Sequence, residues 1–261
     1  MTVRLFETPD EIGRYAASSL IGDIRKTQEG KAYLLGCPTG RTPRPIYAAL
    51  VDAMKREAVD LSRLVLVMMD EYIVTDSDGA LRLADPSQHF SCRGFAEREI
   101  VGPINRILPE DFRIRPENVW FPDIAAPATY DKRIAKAGGL DCFILASGSS
   151  DGHVAFNPPG SPAETETRIV NLAEGTRRDN LKSFPQFEKL DDVPQHGVSV
   201  GLKTIRSAHR CMLILWGPEK QDAFSRTAGG TAFDENWPAS IVLLSPSYEI
   251  LADRAAAGER G

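Results

Sequence analysis

Asp151-Gly152-His153 is the segment of this 261-residue chain with the clearest potential for acid–base chemistry. It follows an apolar run at residues 142–146 that is typical of a buried strand, and its glycine indicates a turn. An imidazole exchanges protons near neutral pH, and a nearby carboxylate orients the ring and stabilises its charge. Alone, such a segment is more often an ordinary turn with a surface histidine, so the other polar motifs must decide between the two interpretations.

A second candidate motif is the turn at residues 37–43, Cys-Pro-Thr-Gly-Arg-Thr-Pro, between an apolar strand and a predicted helix. Backbone N–H groups at a helix N-terminus point towards a common spot, and the helix dipole favours an anion there. The turn therefore predicts a phosphate site formed by Thr39, Gly40, Arg41 and Thr42. The alternative without a ligand is a Thr42 N-cap followed by Pro43 at the first helical position.

Two more polar groups directly follow apolar strands. Asp70 and Glu71 come after the run at residues 64–69, and a carboxylate there can abstract a proton from a substrate when burial tunes its pKa. Lys220 follows the run at residues 212–216 and could bind an anion as a point charge. The ordinary alternatives are a capping or salt-bridged carboxylate and a solvated surface lysine.

The elements that must position these groups alternate between strands and helices. Runs that are apolar on both faces, separated by helical stretches, indicate an α/β fold with three layers: a mostly parallel, Rossmann-like central sheet with helices on both faces. The carboxyl ends of parallel strands meet at one edge, so we expect the motifs to converge there. One domain over residues 1–261 is the simplest organisation. Strands are predicted at residues 3–6, 32–36, 64–69, 119–121, 141–146, 212–216 and 241–244; helices after Thr8 and at 43–55, 90–100 and 126–137; and a loop at 75–87.

Composition narrows the classes of partner. The formal net charge of −5 argues against general binding to nucleic acid or to anionic membranes. The four cysteines show no CxxC pairing, which favours buried free thiols, and no His/Cys cluster indicates a metal site. The chain has no apolar run of membrane-spanning length and no signal-peptide pattern at its start, so we expect a cytoplasmic protein.

Several motifs in this order resemble the glucosamine-6-phosphate deaminase (isomerase) family and its relative, 6-phosphogluconolactonase. The resemblance extends from about residue 3 to residue 257. The tetrad Met69-Asp70-Glu71-Tyr72 is more similar to the deaminases than to the lactonases. The segments that carry the resemblance are residues 38–43, 69–72, 151–157, 198–201 and 217–220.

The resemblance implies a reaction and a role for each matching residue. Family deaminases open a cyclic amino-sugar phosphate, move a proton from C2 to C1 and release ammonia, giving fructose 6-phosphate without a metal or organic cofactor. Asp70 matches the C2 proton carrier, His153 the ring-opening imidazole, and Asp151 the carboxylate that orients this imidazole. The family includes monomers and hexamers, so the expected partners are a phosphosugar and, in an assembly, further copies of the chain. The implied substrate- and phosphate-binding residues are Thr39, Gly40, Arg41, Thr42, Glu71, Gly152, Lys182 and Lys220.

Three positions depart from the family pattern. Pro158 stands where deaminases carry a Glu near the ring-opening histidine, Lys182 where the lid has an arginine, and Arg41 where relatives have a small residue. Three functions therefore stay open. The first and favoured one is an amino-sugar phosphate deaminase or aldose–ketose isomerase. The second is a phosphosugar lactonase in which His153 or Asp151 activates water, and the third is a sugar-phosphate-binding protein with weak or no catalysis.

Overall fold

A computed structural model describes residues 2–27, 30–76 and 78–259. Within these ranges the chain forms eleven strands and eight α-helices. The strands are β1 (Thr2–Phe6), β2 (Tyr33–Cys37), β3 (Leu64–Met68), β4 (Asp70–Thr75), β5 (Leu81–Leu83), β6 (Val119–Trp120), β7 (Cys142–Ala146), β8 (Arg168–Asn171), β9 (His196–Ser199), β10 (Arg210–Leu215) and β11 (Tyr248–Asp253). The helices are α1 (Pro9–Lys26), α2 (Arg44–Arg56), α3 (Cys92–Phe95), α4 (Gly102–Asn105), α5 (Ala128–Lys136), α6 (Glu174–Ser183), α7 (Leu202–Arg206) and α8 (Gln221–Ala228).

Seven strands form a parallel sheet in the order β1-β11-β10-β7-β2-β3-β6. Alternate residues of its central strands face two different hydrophobic cores. Leu35 of β2 belongs to the core that contains α1 and α2, whereas Leu34 belongs to the core that contains α5 and α7. Burying one such side chain contributes about 1.5–3 kcal/mol, so both layers of helices are needed. The predicted three-layer α/β architecture is confirmed.

The start of α1 has a side-chain cap. The Thr8 hydroxyl accepts a hydrogen bond from the Glu11 amide at 3.3 Å, and Pro9 is the first helical residue. The Glu11 carboxylate accepts from the amide of Glu7 at 3.0 Å, one residue earlier than in a standard capping box. None of the helices in the described ranges combines the length and apolar character needed to cross a bilayer.

A second, antiparallel sheet in the order β5-β4-β9-β8 was not predicted. Only Met69 separates β3 from its strand β4, so the chain passes almost directly from the parallel sheet into the antiparallel one. The loop predicted at residues 75–87 is therefore partly wrong, because β5 lies inside it and pairs with β4. Three residues of strand are too few to show an alternating pattern.

The strand predicted at residues 241–244 is also wrong. These residues belong to a 3₁₀-helix, Pro238–Leu244, and the missing strand is β11, which lies between β1 and β10. A short apolar run fits either element, and Pro238 favours the first turn of a helix. The helix predicted at residues 90–100 is α3 followed by a π-helix, Ala96–Val101.

Candidate active site

A cavity of about 380 Å³ lies at the carboxyl ends of the central parallel strands. The segments that follow β2, β3, β7 and β10 all contribute to its wall, together with α6. Eight predicted site residues line it: Thr39, Gly40, Arg41, Thr42, Asp70, His153, Lys182 and Lys220. Three others lie outside the lining: Glu71, Asp151 and Gly152.

Lys220 brings a buried positive charge to the cavity. Only 6% of the residue is exposed, and its Nζ donates to the carbonyl of Ser147 at 2.5 Å. Burial lowers the pKa of this ammonium group, because the charged form loses solvation. The N-cap of α2 is Pro43, with no side-chain cap, so the predicted alternative of a Thr42 N-cap is wrong. Lys220 and the positive end of the α2 dipole leave this end of the cavity suited to an anion.

Arg41 is held at the rim of the cavity by two neighbours. Its guanidinium group pairs with Glu219, and its Cζ lies 4.8 Å from the ring centroid of Trp216. The indole Nε1 of Trp216 donates to the carbonyl of Thr42 at 2.9 Å. These contacts therefore fix the position of the Arg41 side chain at the rim of the cavity.

Helix α6 supplies the other polar groups around the cavity. Asp179, Asn180, Lys182 and Ser183 all line it. The buried Asn180 Nδ2 has no hydrogen-bond partner within the described part of the chain. Lys182 adds a positive charge to the same side of the cavity.

Asp70 is a buried carboxylate facing the cavity. It is 5% exposed, and burial raises its pKa to about 7. The Cys92 thiol donates to Oδ1 at 3.3 Å and opposes part of this rise. A carboxylate with a pKa near neutrality is well matched to abstracting and returning a carbon-bound proton.

Glu71 has a different task, although it is the next residue along the chain. It is fully buried and accepts hydrogen bonds from Ser91 Oγ and the amides of Tyr72, Cys92 and Arg93, at 2.8–3.0 Å. Burial raises its pKa while these four bonds oppose the rise. The structure thus places Glu71 behind the cavity wall, where it fixes the segment that carries Cys92.

Asp151 and His153 form a close pair. Asp151 Oδ1 lies 2.6 Å from Nδ1 of His153, and Oδ2 accepts from the Thr176 hydroxyl at 3.1 Å. Burial disfavours the ionised carboxyl, but the bonds from His153 and Thr176 outweigh it and hold the pKa of Asp151 at about 2. Because the carboxylate occupies Nδ1, Nε2 is the ring nitrogen left for a ligand.

The pair depends on the absence of a side chain at Gly148. A Cβ built there would lie 2.2 Å from Nδ1 of His153 and 2.6 Å from Oδ1 of Asp151. We expect Gly148→Ala to separate the two groups and to lower kcat by about 10²-fold, since a displacement of about 1 Å has that effect on positioned groups. Gly22→Ala is the matched control, because nothing lies within 4 Å of a Cβ in that position. Equal kcat values for the two variants would contradict this role.

Substitutions of Cys92 are expected to shift the pH–rate profile, and the new side chain sets the direction of the shift. Cys92→Ala removes the donor to Asp70, so the pKa of Asp70 rises further and the acid limb of kcat/KM moves to higher pH. Cys92→Ser supplies a stronger donor and moves the same limb to lower pH. Steady-state rates of the two variants across the pH range test this. A shift in the same direction for both would show that packing, not the hydrogen bond, explains the effect.

Three residues in or beside the candidate site were not predicted from the sequence: Cys92, Thr176 and Asp179. Cys92 reaches Asp70 through tertiary packing, which no local pattern reports. Asp179 and Lys182 are three residues apart on α6 and share a face, so helical spacing could have paired them once Lys182 was selected.

Fold and cavity together define an α/β enzyme that combines an anion-binding turn with a neutral-pH carboxylate and a carboxylate-oriented imidazole. A family model described as glucosamine-6-phosphate isomerases/6-phosphogluconolactonase matches residues 7–250. A glucosamine-6-phosphate deaminase of Rhodococcus jostii is 34% identical over 262 residues, covering 99% of this chain and 92% of the relative. One of Streptomyces avermitilis is 36% identical over 227 residues, covering 87% and 81%. The chain belongs to the glucosamine-6-phosphate isomerase/6-phosphogluconolactonase family, as its motifs predicted.

Solved structures agree with this assignment. A monomeric glucosamine-6-phosphate deaminase superposes with a TM-score of 0.83 at 25% identity, covering 100% of both chains. The 6-phosphogluconolactonase from Leishmania guyanensis has a TM-score of 0.71 at 15% identity, covering 98% of this chain and 97% of that one. The second similarity shows the fold alone.

Proposed function

We propose that this enzyme converts glucosamine 6-phosphate and water into fructose 6-phosphate and ammonia. The observation that carries the proposal is Asp70, a buried carboxylate with a pKa of about 7 in the same cavity as His153. Proton transfer between carbon atoms needs such a base, whereas hydrolysis of a lactone does not. The relatives named as glucosamine-6-phosphate deaminases support the same substrate.

The cavity supplies a group for each step. The phosphate binds at the turn of residues 39–42 with Lys220 and Lys182. His153 takes the proton of the C1 hydroxyl and delivers one to the ring oxygen, which opens the ring. Asp70 removes the C2 proton and returns it to C1, while one proton passes from the amino group to the C1 oxygen, which leaves a hydroxyl at C1 and an imine at C2. Water adds to this carbon and ammonia leaves, so the net reaction is a hydrolysis.

A second candidate function is hydrolysis of a phosphosugar lactone. The Asp151–His153 pair is the observation that favours it, because an oriented imidazole can activate water for attack on a carbonyl carbon. In that reaction the negative tetrahedral intermediate would lie beside Lys220 and the turn. Asp70 would have no part in the chemistry.

Two coupled assays and a binding measurement distinguish these functions from the third, a binding protein. Ammonia release from glucosamine 6-phosphate supports the proposal. Hydrolysis of 6-phosphogluconolactone above its spontaneous rate, without ammonia release, would refute it in favour of the lactonase. If neither substrate reacts but both raise the melting temperature, the protein binds phosphosugars without turning them over.

Location and assembly are further parts of the proposal. All four cysteines are buried and free, which suits the reducing cytoplasm. The resemblance leaves both a monomer and a homo-oligomer open, and the prediction of no nucleic-acid partner rests on the net charge of −5. Sedimentation velocity, with and without added DNA, tests both.

A further inference from the structure

We propose that Asp179 is a second carboxylate of the acid–base centre, and that it positions and stabilises the charged imidazole of His153. The proposal deepens the function above and rests on it for the role of His153 in ring opening. Asp179 lies on α6, far from the Asp151-Gly152-His153 motif in sequence.

Hydrogen bonds fix the Asp179 carboxylate in place. Its Oδ2 accepts from the amides of Ser149 and Ser150 at 2.9 and 3.4 Å, and from the Ser150 hydroxyl at 3.3 Å. These serines belong to the loop that follows β7 and leads into the catalytic motif. The side chain is therefore tied to the same loop that carries the imidazole.

The resulting cluster surrounds one imidazole with two carboxylates. One side-chain ligand atom from each of Asp151, His153 and Asp179 lies within 4.8 Å of the others. Asp151 contacts Nδ1 from outside the cavity lining, whereas Asp179 itself lines the cavity. An opposite charge at this distance favours the protonated ring, which is the form that donates a proton to the ring oxygen of the sugar.

Helix α6 provides this arrangement from one rigid element. Thr176 bonds the outer carboxylate, Asp151, and Asp179 supplies the inner one, three residues further along the same helix. Pro158, in the loop after the motif, brings no carboxylate to the imidazole at this position. The charge comes from a different part of the chain.

Other charged groups of the cavity also act on the imidazole. The positive groups are Lys220, Lys182 and Arg41, and the remaining carboxylates are Asp70 and Glu219, which pairs with Arg41. Asp179 and Asp151 both raise the pKa of Lys220, against the lowering caused by burial. A variant at position 179 must therefore be compared with one that changes charge on the same helix without facing the cavity.

The test compares Asp179→Asn with Glu174→Gln. Asparagine keeps the size and one acceptor oxygen for the serine amides, so the loop stays tied. Glu174 is also on α6 but pairs with Arg178 at the surface, where both side chains are 63% exposed. We expect Asp179→Asn to lower kcat for ammonia release about 10-fold to 100-fold with KM within about twofold, and Glu174→Gln to change neither.

A second readout does not need turnover. The ring protons of His153 are followed by NMR as a function of pH and assigned by their absence in His153→Gln. Losing the nearby negative charge should move the NMR titration curve of the His153 ring to lower pH in Asp179→Asn and leave it in place in Glu174→Gln. An unchanged midpoint overturns the proposal whatever the rates show.

The remaining outcomes are also decisive. If the wild-type enzyme hydrolyses the lactone and releases no ammonia, the proposed function fails, while the NMR comparison still decides the role of Asp179. Loss of wild-type activity with EDTA, restored by a divalent cation, would assign Asp151, His153 and Asp179 to metal binding and overturn the positioning role. Equal loss of kcat in both variants would do the same, because it would implicate α6 as a whole.

Discussion

Asp70→Asn is expected to abolish catalysis and yet to stabilise the folded protein above neutral pH. Asparagine cannot accept the C2 proton, and removing a general base typically costs about 10²-fold to 10⁴-fold in kcat. The phosphate-binding groups are untouched, so KM for glucosamine 6-phosphate should change little. The loss measures how much of the rate depends on this carboxylate.

The gain in stability follows from the same burial that tunes the base. The pKa of Asp70 is about 7 in the fold against an ordinary value of 3.8, so folding favours the protonated form. Below about pH 4 the carboxyl is protonated in both states and costs nothing. As pH rises towards 7 the unfolded chain ionises first, and the free energy of unfolding falls by about 4 kcal/mol by the time the native carboxyl is ionised. Asparagine is free of this penalty.

Ammonia release and thermal unfolding test both halves of this prediction. The melting temperature of Asp70→Asn should exceed that of the wild type near pH 8, and the two should converge near pH 4. Asp52→Asn is the control, because Asp52 is exposed and pairs with the exposed Lys55. A variant that is inactive but less stable than the wild type near pH 8 would show that Asp70 stabilises the fold, contrary to our interpretation.

His153→Gln is expected to have the second largest effect. Glutamine can occupy the space of the imidazole and hydrogen-bond Asp151, but it cannot take up and release a proton at neutral pH. We expect kcat for the cyclic substrate to fall by about 10²-fold to 10⁴-fold, because the enzyme must then rely on the small open-chain fraction of the sugar. The pKa of Asp151 should rise above about 2 once the imidazole is lost.

The chain contains a matched control for this substitution. His209 Nδ1 lies 3.8 Å from a carboxylate oxygen of Asp141, and 67% of its side chain is exposed. His209→Gln thus breaks a histidine–aspartate pair far more exposed than the catalytic one, and should leave kcat unchanged. Calorimetric titration with glucosamine 6-phosphate should show that His153→Gln still binds substrate. Wild-type rates in His153→Gln would exclude the imidazole from ring opening.

The convergence of the predicted site residues could be foreseen from the sequence, because parallel strands bring their carboxyl ends together. The turn after β2, Asp70 after β3, His153 after β7 and Lys220 after β10 meet in one cavity for this reason. Short elements of the antiparallel sheet were not predicted, because a few residues cannot show an alternating hydrophobic pattern. Glu71 was placed beside the substrate because β4 was missed, and successive side chains of a strand point to opposite sides.

Contacts between residues far apart in the sequence also could not be predicted. The carboxylate of Asp179 reaches the loop after β7 from a helix about thirty residues later, a distance that motif spacing does not encode. The thiol of Cys92 reaches Asp70 in the same way. Both residues lie close to a candidate catalytic group only in the folded chain, so the sequence does not reveal them.

The contact between Trp216 and the turn at residues 38–42 also places an intrinsic fluorophore beside the cavity. Its indole is bonded to the carbonyl of Thr42 and carries the guanidinium of Arg41 over its ring. An anion that draws Arg41 away from Glu219 would change the polarity around this fluorophore. Intrinsic emission could then follow ligand binding in real time without a label, and Trp216→Phe would identify the signal among the three tryptophans of the chain.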